Sequence, residues 1–230
     1  MYKVLLWDID GTVLDFIAAE KAAIRACFAH FGLGECTDEM LKRYSAINKK
    51  YWKMLELGQM TKPQILVGRF NEFFATEGIK TDCAAAFNEE YQLRLGDTIV
   101  FFDDAFKLLQ DLKPYVKQYA VTNGTFKAQE KKLNTSGLID LFDGVFISEK
   151  VGFEKPDIRF FEAVFSQLSP FKKEEILLIG DSLSSDMQGG NNAGIACCLY
   201  APNGQPEFGS LKIDYCIDNL QQIKKILGVK

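Results

Sequence analysis

Val4-Leu5-Leu6-Trp7-Asp8-Ile9-Asp10-Gly11-Thr12 begins as an apolar run and ends in two carboxylates one residue apart. The run predicts a short buried strand. On an extended backbone, residues two apart share a side. Asp8 and Asp10 therefore leave the strand's carboxyl end together, and Gly11 permits a sharp turn after them. Two carboxylates this close repel unless a proton or a cation lies between them. The pair points to a hard metal ion combined with acid–base work, with Asp8 able to attack phosphorus and Asp10 to carry protons. The same residues also suit an ordinary Asp-rich turn, and the segments downstream decide between the two.

Beyond Thr12 the pattern is helical. Ala22, Ala23, Ala26, Cys27 and Phe31 make one apolar helical face over 18–31, closed by Gly32 and Gly34. Thr37-Asp38-Glu39 supplies a capping hydroxyl and an acidic first turn for a helix running through Tyr44, Ile47, Tyr51, Trp52 and Leu55 to Gly58. Thr61-Lys62-Pro63-Gln64 is a capping-box pattern with Pro in the first turn. The helix it opens carries Ile65, Leu66, Phe70, Phe73 and Phe74, and a fourth covers 82–95.

From residue 97 strands and helices alternate. Strands are predicted at 119–122, 144–147, 176–179, 195–200 and 213–217. Helices are predicted over 126–136, from Pro156 through Phe165, over 186–193, and after an Asp218-x-x-Gln221 cap. Apolar strands alternating with helices predict a parallel sheet covered on both faces. The expected fold is α/β: a doubly wound, Rossmann-like core from 1–14 and 97–230, with an all-helical cap inserted over 15–96. Ligands in such sheets bind beyond the carboxyl ends of the strands, where Asp8 and Asp10 lie.

With 230 residues, 47% hydrophobic and 25% charged, the chain is ordinary globular material with room for a core and an insertion. A net charge of −4 gives no support to a polyanion-binding surface. A nucleic-acid polymer is therefore not an expected partner, whereas a small phosphorylated metabolite is compatible. No segment reaches the about 18 uninterrupted apolar residues of a bilayer span, and the N-terminus lacks a basic-then-apolar leader pattern. A cytoplasmic protein without a membrane partner is the expectation. Cys27, Cys36, Cys83, Cys197, Cys198 and Cys216 form no C-x-x-C pair, which argues against zinc or a disulfide framework. They are expected to be reduced and mostly buried.

Three more polar clusters fall at the same topological place. Val121-Thr122-Asn123-Gly124 ends a strand with a hydroxyl and a turn whose N–H groups suit phosphate oxygens. Glu154-Lys155-Pro156-Asp157 sets a lysine in a rigid loop, where it can neutralise a phosphoryl group and a carboxylate nucleophile. Ile179-Gly180-Asp181 ends an apolar strand, and Ser182-Leu183-Ser184-Ser185 leads from it to Asp186. Asp181 would complete an oxygen site for a hard, six-coordinate cation. Asp186 could hold Lys155 or a metal-bound water. Each cluster alone also suits a common turn or a solvated lysine; their convergence on one sheet edge is what carries weight.

The ordering D-x-D-G-T, T-N-G, K-P, G-D-S-x-x-x-D resembles the haloacid dehalogenase-like hydrolase superfamily over the whole chain. The helical insertion resembles that superfamily's cap, placed after the first motif. The resemblance implies a Mg²⁺-dependent phosphomonoester hydrolase working through an aspartyl-phosphate, with Asp8 as nucleophile. It implies Asp10 as the acid for the leaving oxygen and then the base for the attacking water. It implies further that the Asp8 and Asp181 carboxylates and the Asp10 backbone carbonyl bind Mg²⁺. Thr122, the Asn123 backbone and Lys155 are then the phosphate clamp. Phosphoryl transfer needs mainly positioning and charge stabilisation, which this set can supply. Dehalogenating members lack a carboxylate where Asp10 stands, since a halide leaving group needs no proton.

Leu14-Asp15-Phe16, Ala18-Ala19-Glu20, Ile47-Asn48, Trp52, Glu56-x-Gly58 and Arg69-Phe70 resemble the cap of the noncanonical pyrimidine 5′-nucleotidases. Phe142 to Pro156 and Gly189-Gly190 to Gly194-Ile195 continue the likeness. Gly11 stands where that group often has Asp, and Trp7 where Phe is more usual. The implied substrate is a pyrimidine nucleoside monophosphate. Alternatives are a sugar-phosphate phosphatase similar to the N-acylneuraminate-9-phosphatases, a phosphoglucomutase-like phosphotransferase, and a phosphate-ligand sensor with a vestigial site. Tyr51, Trp52, Phe70, Phe73 and Phe74 are expected mainly in the helix-bundle core, although a ring at the cleft could stack on a base. Arg69 and Lys49 are expected on solvated helix faces, and His30 as a structural residue of an apolar helix stretch.

Overall fold

In the computed structural model, which describes residues 1–229, six strands form one sheet. They are β1 Val4–Trp7, β2 Lys117–Thr122, β3 Gly144–Ile147, β4 Ile176–Gly180, β5 Ala196–Tyr200 and β6 Tyr215–Ile217. The order is β3-β2-β1-β4-β5-β6 and every neighbouring pair is parallel. Strand order reverses between β1 and β4, so the ligand-binding crevice of such a sheet opens beyond their carboxyl ends. The fold is the expected doubly wound α/β sheet.

Alternation along β1 sends Leu5 and Trp7 to one face and Val4 and Leu6 to the other, all fully buried. Helices α5 Ala105–Leu112, α6 Phe126–Thr135 and α10 Gln222–Leu227 pack on the first face. Helices α8 Ile158–Ser166 and α9 Gln188–Ala193 pack on the second. Each large apolar side chain so buried contributes about 1.5–3 kcal/mol. Trp7 is accommodated because its indole N–H donates to the fully buried Gln118 Oε1 at 3.2 Å, while Gln118 Nε2 donates to the Leu109 carbonyl at 2.8 Å.

Between β1 and α5 lie four further helices: α1 Phe16–Phe31, α2 Asp38–Glu56, α3 Lys62–Thr76 and α4 Ala84–Arg94. Their starts follow local chemistry. The Asp15 carboxylate accepts from the Ala18 N–H, the Thr37 hydroxyl from the Met40 N–H, and Gln64 Oε1 from the Thr61 N–H. Gly32 closes α1 in the left-handed conformation. The bundle core is aromatic, with Phe28, Tyr44, Phe70, Phe73, Phe74, Phe87 and Tyr91 all buried. Tyr51 packs partly against that core, whereas Trp52 is half-buried at the cleft. Lys49 is exposed as expected.

Arg69 is a correction. It is 1% exposed, its guanidinium lying 5.0 and 5.1 Å from the Phe70 and Tyr91 ring centres. It donates to Asn48 Oδ1 at 2.7 Å and Asn88 Oδ1 at 3.1 Å, and Asn48 in turn donates to the buried Glu20 at 2.7 Å. The position is buried because it falls between Ile65 and Phe73 at four-residue spacing; the charge on that face is satisfied by amides rather than by water. His30 packs edge-on to the Phe31 ring at the helix surface. Its side chain is half exposed in the last turn of α1, 3.8 Å from Glu90, and belongs to no core cluster.

Other differences are local. Helix α5 was not foreseen, for its entry passes through Asp103 and Asp104 at φ 47° and 56° without a side-chain cap. The short α7, Ser148–Val151, likewise lacks a cap signal. A π-helical turn, Leu183–Met187, precedes α9, so helix begins before Asp186. Asp218 pairs with Gln222 rather than Gln221 before α10. Cys27, Cys197 and Cys198 are buried, but Cys36 and Cys83 are half-buried and Cys216 is exposed. Among the described residues no helix is long and apolar enough to cross a membrane.

Candidate active site

Asp8 leaves β1, Thr122 ends β2, Asp181 follows β4, and Lys155 sits in the loop after α7. The sheet therefore gathers four distant segments at one edge. The Lys155 ammonium is 1% exposed and donates to Asp8 Oδ1 at 2.7 Å, Asp186 Oδ1 at 2.6 Å and the Val121 carbonyl at 2.8 Å. All three of its protons are used. Asn123 fastens the Lys155 backbone at both ends, its Nδ2 donating to the carbonyl and its Oδ1 accepting from the N–H, each at 2.8 Å. Its side chain is thereby committed to the loop. Thr122, 1% exposed, accepts the Gly124 N–H at 3.1 Å.

The carboxylates of Asp8, Asp181 and Asp186 each bring an oxygen to within 4.8 Å of the others. Asp186 is fixed from behind by Lys155 and by the Ser182 N–H at 3.1 Å. The Asp10 carboxylate lies apart from this trio, held by Gln129 Nε2 at 2.6 Å and Lys132 Nζ at 2.5 Å. The converging side chains are therefore Asp8, Asp181 and Asp186, and the Asp10 side chain is not among them.

Burial pushes the Asp8 carboxyl well above its usual range, the charges of Asp186 and Asp181 add to this, and Lys155 opposes it. Asp181 is pushed up to about 7 by burial of its inner side and then by Asp186, although solvent reaches it through the cleft mouth. Burial works against the Lys155 charge, but Asp186 and Asp8 overcome it and hold the ammonium above its ordinary value. Three carboxylates against one ammonium leave an excess of two negative charges when all are ionised. Hard oxygen donors with that excess fit a divalent cation such as Mg²⁺, which Asp8 and Asp181 would hold.

Three side chains to which the motifs assign no role complete the site. Thr12 is fully buried and its hydroxyl lies 3.3 Å from both Asp8 Oδ2 and Asp181 Oδ1. Gln129 and Lys132 grip Asp10 from α6, whose buried positions Ala128, Gln129, Lys132 and Leu133 carry two polar residues at core spacing. That polar break in an inward face was the readable sign. The helical insert closes over the crevice through Glu56, which accepts from Ser184 Oγ at 2.5 Å, and Lys62, which donates to Ser148 Oγ at 2.6 Å. Thr125 donates to Gln92 at 2.6 Å on the third side. Phe16 and Trp52 line the small cavity beside Asp10.

Residues 5–200 match the model of the haloacid dehalogenase-like hydrolase family. The HAD-hydrolase YfnB of Bacillus subtilis is 35% identical over 100% of this chain and 97% of its own length. Its magnesium-bound crystal structure has a TM-score of 0.94 with 99% of each chain covered. The pyrimidine 5′-nucleotidase PynA of Streptococcus pneumoniae is 39% identical over 88% of this chain and 85% of its own. The pyrimidine 5′-nucleotidase YjjG of Escherichia coli is 27% identical over 97% and 96%. With the strand-end carboxylates, the buried lysine and the doubly wound sheet in one arrangement, the chain belongs to the haloacid dehalogenase-like hydrolase family.

Proposed function

We propose that this HAD-family phosphatase hydrolyses pyrimidine nucleoside 5′-monophosphates through a phosphoryl group carried on Asp8. The observation that carries the mechanism is the buried ion pair of Asp8 with Lys155 beside a separately held carboxylate, Asp10. An Asp8 carboxylate oxygen forms a bond to phosphorus as the bond from phosphorus to the ester oxygen breaks. The departing oxygen takes a proton from Asp10. Water then gives a proton back to Asp10 and attacks the phosphoryl group, releasing phosphate and free Asp8. Lys155, the Thr122 hydroxyl and the Asn123 N–H offset the phosphate charge.

Asp8, Asp181 and the Asp10 backbone carbonyl would hold Mg²⁺, with Asp186 orienting Lys155 behind them. When bound, the ion supplies Lewis-acid stabilisation of phosphoryl charge. Twin support for the pyrimidine nucleotide comes from the relatives PynA and YjjG and from the Phe16 and Trp52 rings at the cleft, which suit stacking on a base. A phosphate-release screen over nucleotides and sugar phosphates with Mg²⁺ tests the substrate. Turnover of UMP, dUMP or dTMP above all sugar phosphates is expected; the reverse ranking would make it a sugar-phosphate phosphatase.

Metal binding should depend on pH with a defined sign. Asp8 and Asp181 have raised carboxyl values, so they favour the fold when protonated. That contribution is complete below the ordinary carboxylate range and is lost as pH rises through about 7 for Asp181. In EDTA the melting temperature should therefore fall between pH 5 and pH 8. Mg²⁺ needs the ionised forms, so at saturation it should raise Tm by roughly 5 °C or more at pH 8 and by clearly less at pH 5.5. A Mg²⁺ shift no larger at pH 8 would contradict the carboxylate site.

A further inference from the structure

Helix α6 sends polar side chains into a place where packing would take apolar ones. Gln129 is fully buried and Lys132 is 1% exposed, and both end on Asp10. Each Asp10 oxygen has its own donor, Oδ2 from Gln129 and Oδ1 from Lys132. A carboxylate gripped at both oxygens cannot swing without losing one of them.

The Gln129 amide bears the cost of this contact. Its NH₂ must face the accepting carboxylate, so Oε1 points the other way and is buried without a hydrogen-bond partner. A buried carbonyl left so calls for an explanation, and the orientation it enforces on Asp10 provides one. Gly124 supplies an independent observation. It is not among the glycines with positive φ, so the turn itself does not demand glycine. A Cβ there, however, would lie 2.2 Å from Gln129 Nε2 and 2.8 Å from its Cγ. Lys132 is backed by the Phe16 ring, 5.0 Å from its ammonium, which keeps the charge on the Asp10 side.

We propose that Gln129 and Lys132 are positioning residues that hold the Asp10 carboxylate in the orientation from which it transfers protons, and that Gly124 is glycine so that Gln129 can reach it. This rests on the reading of Asp10 as acid and base given above. Neither residue exchanges a proton with substrate; both act through Asp10.

The test places Gln129→Leu, Lys132→Met and Gly124→Ala each alone and over Asp10→Asn. Rates are measured with Mg²⁺ on p-nitrophenyl phosphate and on an alkyl ester (UMP, or the fastest ester of the release screen), and Tm is recorded for every protein. Each single substitution should lower kcat on the alkyl ester about 10- to 100-fold with KM within about twofold. On p-nitrophenyl phosphate, whose leaving group needs no proton, kcat/KM, which ends at departure of the leaving group, should fall by less than about threefold, whereas kcat also contains the Asp10-assisted attack of water and falls where that step limits turnover. Over Asp10→Asn none should cost anything further. Gly124→Ala removes no polar group and carries the test if a polar variant does not fold. Equal losses of kcat/KM on both esters, a change in KM alone on the alkyl ester, or full additivity with Asp10→Asn would overturn the positioning role. An Asp10→Asn enzyme as fast as the parent on the alkyl ester overturns the acid–base reading beneath it, and the two failures are told apart in the same data.

Discussion

Asp8→Asn is expected to lower phosphate release by on the order of 10⁴-fold or more while leaving the protein folded. An amide oxygen of the same shape cannot form the acyl phosphate, and the neighbouring Asp186 carboxylate is committed to Lys155 and the Ser182 N–H. Stability should hold because the carboxyl is already disfavoured as an anion: burial first, then the Asp186 and Asp181 charges, raise it, with only Lys155 resisting. Lys155 keeps Asp186 and the Val121 carbonyl as acceptors after the exchange. Inorganic phosphate release and thermal melting at pH 8 check both halves, and acid-quenched mass spectrometry should find phosphorylated Asp8 in the parent alone. Full turnover by the variant would end the nucleophile assignment.

Lys155→Met should damage both stability and catalysis. The ammonium is buried at the meeting point of Asp8 and Asp186, and a methionine leaves those carboxylates facing each other without a counter-charge. Removing one partner of a buried ion pair costs about 3–5 kcal/mol. For a chain of this size that lowers Tm by roughly 6–20 °C. Because the site becomes still more acidic, Mg²⁺ should restore part of the loss, by about 3 kcal/mol at a hundredfold excess over its dissociation constant. Turnover should nevertheless stay about 10²–10³-fold down with the metal present, since the phosphate clamp has lost its fixed charge. Melting curves in EDTA and in Mg²⁺, read beside rates, separate the two effects. An unchanged Tm in EDTA would show that the pair adds nothing to the fold.

Much of the arrangement could be read from short segments. The apolar strand before Asp8, the Thr37 and Thr61 caps, Gly32 after α1 and the alternation after residue 97 are local patterns, and the structure follows them to within a few residues. Where reading failed, the deciding interaction came from elsewhere in the chain. The charge of Arg69 predicts solvent, yet the Ile65–Phe73 face carries it inward to Asn48 and Asn88. Helix α5 carries no local start signal, because two left-handed aspartates stand where the usual cap would be.

Local patterns specify the parallel sheet, the helical insertion, the strand ends bearing Asp8, Thr122 and Asp181, and the loop bearing Lys155. They can do so because side-chain periodicity and turn chemistry act within a few residues. Tertiary structure alone decided how those side chains divide their work. It set Asp186 in the acidic cluster and turned the Asp10 carboxylate away to partners 119 and 122 residues along the chain. Such pairings depend on how α6 packs against the end of β1, and no local pattern encodes the angle or the distance of that contact.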